Sequence, residues 1–178
     1  MKRILILLLI ISLVSINFFA NPLPDTNNEY NDRSNESSNE NAYFFLVSNN
    51  VDDMSGDLSR YLISVNSKVK IKLNSSIEKK ISISLESLFN FKSLKYNHDN
   101  LHNLLYFSNL NVSKVTQSNG VYTIELLGEL NQVGSVADAF VKMQITKTIE
   151  QYTNKYIIKL NNSEKNWRCA LDKSGNCE

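Results

Sequence analysis

Glycine and proline are scarce in this chain, with 5 and 2 in 178 residues, so collagen-like and linker-type compositions are excluded. Histidine and cysteine also number 2 each, and two cysteines are too few for a disulfide-built scaffold. Charge of either sign is not in excess. Lys and Arg total 19 against 18 Asp and Glu, a net +1 that becomes −1 if Lys2 and Arg3 are lost with a leader. Such a balance provides no basic field to displace counterions, which argues against a dedicated nucleic-acid binder. No Gly-x-Ser-x-Gly and no phosphate-cradling glycine loop is present, and no internal repeat is visible. The length suits one domain of ordinary size with extensions. Asn, Lys, Ile and Ser are abundant, as AT-rich coding would produce.

The one long hydrophobic run is at the start. Lys2-Arg3 precede Ile4 to Ile16, and Asn17-Phe18-Phe19-Ala20 close the run before Asn21-Pro22. A basic start and an apolar stretch make the pattern of a secretory signal cleaved after Ala20, although Phe18 is large for the position three residues before the cut. No Cys lies near the end of the run to carry a lipid. From Ile4 to Ala20 the stretch also reaches roughly 17 residues, the lower limit for spanning a bilayer. Residues 1–20 therefore read as a signal peptide or an N-terminal anchor, and sequencing the mature N-terminus separates the two. Either way the rest of the chain is expected outside the cytoplasm, in the periplasm or cell envelope, held to the inner membrane only if the leader stays.

Residues 21–41 are polar and Asn-rich, with Asp25, Glu29, Asp32, Glu36 and Glu40 against Arg33 alone. Low hydrophobicity with unbalanced charge predicts a disordered tether, since little apolar surface offsets the ordering entropy. A flexible chain of that length spans about 25 Å.

The folded part is expected over residues 42–162. Ala42 to Val47 is a short aromatic-rich run that predicts a strand buried on both faces. The loop from Asn49 to Asp57 carries Asp52, Asp53 and Asp57, but not in the spacing of a calcium-binding EF-hand. Tyr61, Ile63, Val65, Val69, Ile71 and Leu73 share one parity, and Lys68, Lys70 and Lys72 the other. This is one half-buried strand, or two pieces joined near Asn66-Ser67. Its lysine row is a candidate contact surface; lysines on an outer strand also discourage edge-to-edge aggregation. Ser75 or Ser76 caps a helix reaching about Asn90, with Ile77, Ile81, Leu85, Leu88 and Phe89 on one side. A polar connection, residues 91–103, and the apolar Leu104 to Phe107 lead into a hairpin. There Val112 to Thr116 turns at Gln117-Ser118-Asn119-Gly120 and returns through Val121 to Leu127. Asn-Gly between apolar runs is a strong hairpin signal because both residues tolerate positive φ. After a break at Gly128 to Gly134, Ser135 to Tyr152 repeats apolar residues at helical spacing. Val136, Ala137, Ala139, Phe140, Val141, Met143, Ile145, Ile149 and Tyr152 are expected to cover the Tyr122, Ile124 and Leu126 face. Lys155 to Leu160 reads as a last strand.

Chemistry is sparsely indicated. His98 and His102 stand four apart, as zinc-chelating histidines do on a helix, but Asp99 occupies the place of the zincin glutamate and no third ligand is evident. They would carry the alternative function, a secreted metal-dependent hydrolase. Glu125 and Glu129 would serve as an acid/base pair only if the strand bent at Gly128. No catalytic residue, metal ligand or cofactor site is assigned. Cys169 and Cys177, in the tail of residues 163–178, read as a disulfide in an exported protein, since Lys173 to Asn176 makes an easy turn. That clip would contribute about 2–3 kcal/mol.

Four pieces resemble the GerMN domain, first named for sporulation and spore-germination proteins and found in many exported bacterial proteins. They are Ser84 to Phe89, Asn119 to Leu126, Gly128-Glu129-Leu130 with Gly134, and Gln144 to Tyr152. The chain departs from that pattern where Asn161 is followed by Asn162 in place of the usual Gly. The resemblance implies an α+β fold, a small mixed β-sheet with two helices packed on one face, similar to ring-building modules of envelope assemblies. It also implies a binding or scaffolding role without catalysis. The expected partners are an envelope protein, peptidoglycan or a second copy of the chain, with a surface adhesin as a further alternative and no nucleic acid.

Overall fold

A computed structural model describes residues 38–48, 56–96, 100–131, 133–172 and 177, with the backbone alone at 135 and 136. The leader, the tether up to residue 37, Asp52, Asp53, His98 and the turn at 173–176 lie outside the described residues. Among those described, no helix is long and apolar enough to cross a membrane.

The order of elements is β1 (Asn39–Ser48), a 3-10 turn (Leu58–Tyr61), β2 (Leu62–Lys72), α1 (Ile77–Asn90), β3 (Leu101–His102), β4 (Asn109–Ser118), β5 (Val121–Glu129), α2 (Ser135–Glu150), β6 (Tyr156–Leu160) and α3 (Glu164–Cys169). The α+β class expected from the sequence is the one observed. Its strands divide between two three-stranded sheets, ordered β2-β1-β3 and β4-β5-β6. The first is antiparallel throughout; the second pairs β4 antiparallel and β6 parallel to β5. A parallel neighbour cannot be reached by a tight turn, and α2 provides the crossover from β5 to β6.

The hairpin turns where its residues allow. Asn119 and Gly120 both have positive φ, 51° and 77°, as a two-residue turn matched to strand twist requires. Opposite the turn, β5 passes so close to β4 that a Cβ on Gly128 would lie 1.8 Å from the Asn109 carbonyl oxygen. Gly128 also has φ 115°, which side-chain-bearing residues avoid. The expected break at Gly128 is therefore part of the ladder, which runs on to Glu129.

One core joins both sheets and both long helices. Phe44, Leu46 and Val65 meet Ile81, Leu85, Leu88 and Phe89 of α1. Tyr122, Ile124, Leu126, Ile158 and Leu160 meet Val141, Ile145 and Ile149 of α2. The amphipathic segment thus covers the hairpin face, as its periodicity predicts, although Ala139 is exposed and Ile77 of α1 is half out of the core. A second, smaller cluster packs Val47, Tyr61 and Leu62 against Phe140. β1 is consequently buried on one face along its length, and on the other only towards its C-terminal end; Tyr43 is exposed. β1 begins at Asn39, inside the stretch expected as tether, because Asn39, Glu40 and Asn41 pair with Lys72, Ile71 and Lys70 and Glu40 meets Lys80 at 2.6 Å. The C-terminal tail is not loose either. Trp167, Ala170 and Leu171 pack against the main core, Lys142 Nζ donates to the Arg168 carbonyl at 2.8 Å, and Cys169 is disulfide-bonded to Cys177.

Replacing Gly128→Ala should destabilise the fold by more than about 2 kcal/mol, since both the φ and the missing space oppose a Cβ. Urea unfolding of the variant should show a lowered midpoint with an unchanged slope.

Candidate functional site

Three features carry the polar side chains that sequence reasoning singled out or passed over: the edge of β1, the end of β6 and a groove beside β2.

At the edge of β1, backbone groups that no strand pairs are met by side chains of α2. Gln144 Nε2 donates to the Phe45 carbonyl at 2.9 Å, the Phe45 N–H donates to Thr148 Oγ1 at 3.2 Å, and Gln151 Nε2 donates to the Tyr43 carbonyl at 3.0 Å. The spacing of 144, 148 and 151 puts these three on one line of the helix, between the stripe of Val141, Ile145 and Ile149 and the stripe of Phe140 and Met143. Farther along, β3 takes over and pairs Val47 with His102. Gln144 Oε1 also accepts from the Leu104 N–H at 2.9 Å. Asn103, fully buried, donates to the carbonyls of Leu88 and Phe91 and accepts from the Leu105 N–H and from Gln144. These buried amides hold the frame together.

At the end of β6, Asn161 replaces a strand residue with its side chain. Its amide accepts from the Gly128 N–H and donates to the Gly128 carbonyl, both at 3.0 Å, while its own N–H reaches the Leu126 carbonyl. Asn161 and Asn162 have φ of 50° and 66°, so Asn162 holds the left-handed conformation that a glycine would take there.

The groove lies between β2 and α1. Pairing of β1 with β2 slips between Asn41 and Tyr43, so that Ala42 faces three residues, Ser67, Lys68 and Val69. This bulge corrects the expected burial of β2. Val65 and Ile71 are buried, but Val69 is turned out by the bulge, Ile63 lies on the outer strand and Leu73 lies past its end. Ser67 turns inward instead. A chain of hydroxyls closes the bulge onto the helix: Val69 N–H donates to Ser67 Oγ, Ser67 to Ser87 Oγ at 3.1 Å, and Ser87 to the Ile83 carbonyl. The groove left alongside holds about 540 Å³, within the range of ligand-sized sites. Phe44, Phe91 and Tyr96 form its aromatic wall, with Phe91 edge-on to Tyr96 at 5.5 Å, and Lys68 and Glu86 stand on its lining. Phe91 and Tyr96 went unnoticed within the polar connection; two aromatics among Lys, Ser and Asn were the available signal.

Among the described residues the remaining candidates are not brought together. His102 lies in a strand, not on a helix, and burial followed by the nearby Lys95 lowers its pKa. Among the described residues no group of three His, Cys, Asp or Glu side chains converges on a metal site. Asp57 caps the 3-10 turn, accepting from the Ser59 N–H and hydroxyl, which lowers its pKa. Glu125 and Glu129 sit four residues apart on β5, roughly 13 Å along an extended strand, too far to share a proton. Lys68, Lys70 and Lys72 are all exposed, with Lys70 Nζ donating to Asn41 Oδ1. Comparison of the chain with family models, with curated proteins and with solved structures found no match.

Two measurements check this reading of the polar groups. Thr148→Val, nearly isosteric, should cost about 1–3 kcal/mol by stranding the Phe45 N–H, and Gln144→Leu more, since it strands the Phe45 carbonyl and the Leu104 N–H together; urea denaturation reads both. Burial, and then a 3.0 Å hydrogen bond to Glu150, push the Tyr156 hydroxyl from 10.0 up to about 12. The folded state resists ionisation that the unfolded chain accepts. Its contribution is therefore intact below pH 10 and lost as pH rises towards 12. Alkaline stability curves should fall less steeply in that window for Tyr156→Phe than for the unaltered protein.

Proposed function

We propose that this chain is an exported, non-catalytic module of the bacterial cell envelope, of GerMN type, that works by binding an envelope protein or the cell wall. The observation that carries the reading is the groove beside β2: a recess of ligand size on an outer strand, lined mainly by aromatic rings, hydroxyls and amides, with Lys68 and Glu86 as its charged groups. The chemistry favours recognition over bond breaking. The disulfide between Cys169 and Cys177 suits an oxidising compartment, in keeping with the basic and apolar leader.

The residues that carry the family resemblance have structural roles in this fold. Gln144, Thr148 and Gln151 seal the edge of β1, Gly128 allows the close approach of β4 and β5, and Asn161 extends the ladder of β6 onto Gly128. The departure at Asn162 costs the fold little, because Asn tolerates the left-handed backbone there better than other side-chain-bearing residues. Within this reading the leader delivers the domain beyond the inner membrane, and the acidic stretch that follows it acts as a spacer.

Crosslinking in the native envelope, followed by purification, should recover the protein with a reproducible protein partner or with peptidoglycan. Consistent recovery of the protein by itself would count against a binding role.

A further inference from the structure

We propose that the groove and outer edge of β2 form a docking site for an extended, acidic peptide segment of another protein. The peptide adds alongside β2, sets an apolar side chain against Phe91 and Tyr96, and places a carboxylate at Lys68. The inference rests on the binding role proposed above and names the surface and the chemistry of the partner.

Three observations converge on this occupant. Among the described residues β2 is the outermost strand of its sheet, paired on one side only, so the backbone groups of its other side are a template for a further strand. Phe45 turns its N–H and carbonyl towards α2, away from β2. Alternation along the ladder then sends the backbone of its partner Ser64, and of Asn66, to the outer side. The Tyr96 hydroxyl already meets the Asn66 carbonyl there at 3.4 Å, which marks where the edge runs into the groove.

Large apolar side chains stand along the same edge. Ile63, Val69 and Leu73 are 42%, 45% and 54% exposed, and Val69 lines the groove. A recess of about 540 Å³ beside an open edge provides a side-chain pocket next to a backbone template, the pairing that strand addition uses for specificity and affinity.

Charge selects the partner. From Leu62 to Leu73 the chain carries Lys68, Lys70 and Lys72 and no acidic residue. A second copy adding antiparallel through its own β2 would set lysines against lysines, which is repulsive across paired strands. An acidic peptide meets the same row with complementary charge.

The test uses the purified exported domain against a display library of random linear peptides. Selection should enrich sequences that combine Asp or Glu with an aromatic or branched apolar residue. For the enriched peptides, Lys68→Glu and Val69→Glu should each weaken binding by at least about tenfold. Both positions are exposed, so folding should survive, and thermal unfolding checks that it does. Enrichment of neutral or basic sequences, no enrichment, or binding indifferent to both variants would overturn the site. Envelope crosslinking of the Lys68→Glu variant separates the two levels. A partner retained there leaves the binding role standing and removes this surface, whereas failure to find any partner with the unaltered protein removes the role itself.

Discussion

The structure depends on how one strand edge is closed. β1 is central in its sheet by position, but its second neighbour, β3, reaches only Val47 and Ser48. Backbone groups left unpaired in the interior cost free energy comparable to a lost hydrogen bond each. Gln144, Thr148 and Gln151 remove that cost by standing in for a strand, and their placement fixes α2 against β1 in rotation and in height. With α2 so fixed, its two apolar stripes fall on the two clusters on either side of the edge. Asn103 ties the same network to the C-terminal end of α1 through the carbonyls of Leu88 and Phe91. A few buried amides and a hydroxyl therefore set the relation of both helices to the first sheet. Hydrophobic burial alone, being non-directional, would leave that relation loose.

The other edge of the first sheet is treated in the opposite way. Among the described residues no strand covers the outer side of β2, and its bulge is closed towards the helix by serine hydroxyls while apolar side chains remain outside. The protein thus seals one edge with buried polar groups and leaves at the other, among the described residues, lysines and a groove, the surface proposed above for a partner. The lysines are compatible with both tasks, because they discourage pairing with the protein's own copies and attract chains of opposite charge.

Much of the frame was legible from residue patterns. The Asn119-Gly120 turn, the helix capped at Ser76, the covering of Tyr122, Ile124 and Leu126 by the segment after Gly134, and the Cys169 to Cys177 bridge all follow from local rules. Where the pattern misled, long-range pairing was the cause. The alternation from Tyr61 to Leu73 is continuous in the sequence, yet three residues of β2 face one of β1, and Val69 is turned out at that bulge although Val65, Ser67 and Ile71 of the same parity are buried. Gln144 and Thr148 read as polar residues on an apolar helix. Their burial makes sense only once the unpaired edge of β1 is beside them.

The sequence by itself determined the main elements, though not the short β3 and α3: their order, their hairpin turn and first-helix cap, and which apolar faces had to be covered, because these depend on neighbours within a few residues. Only the tertiary structure decided that the strands divide into two sheets, that three polar side chains close an edge, and that β2 carries a bulge with a groove beside it. Those outcomes depend on contacts between residues as far apart as Phe45 and Thr148, and no local preference encodes which distant backbone group a side chain will find.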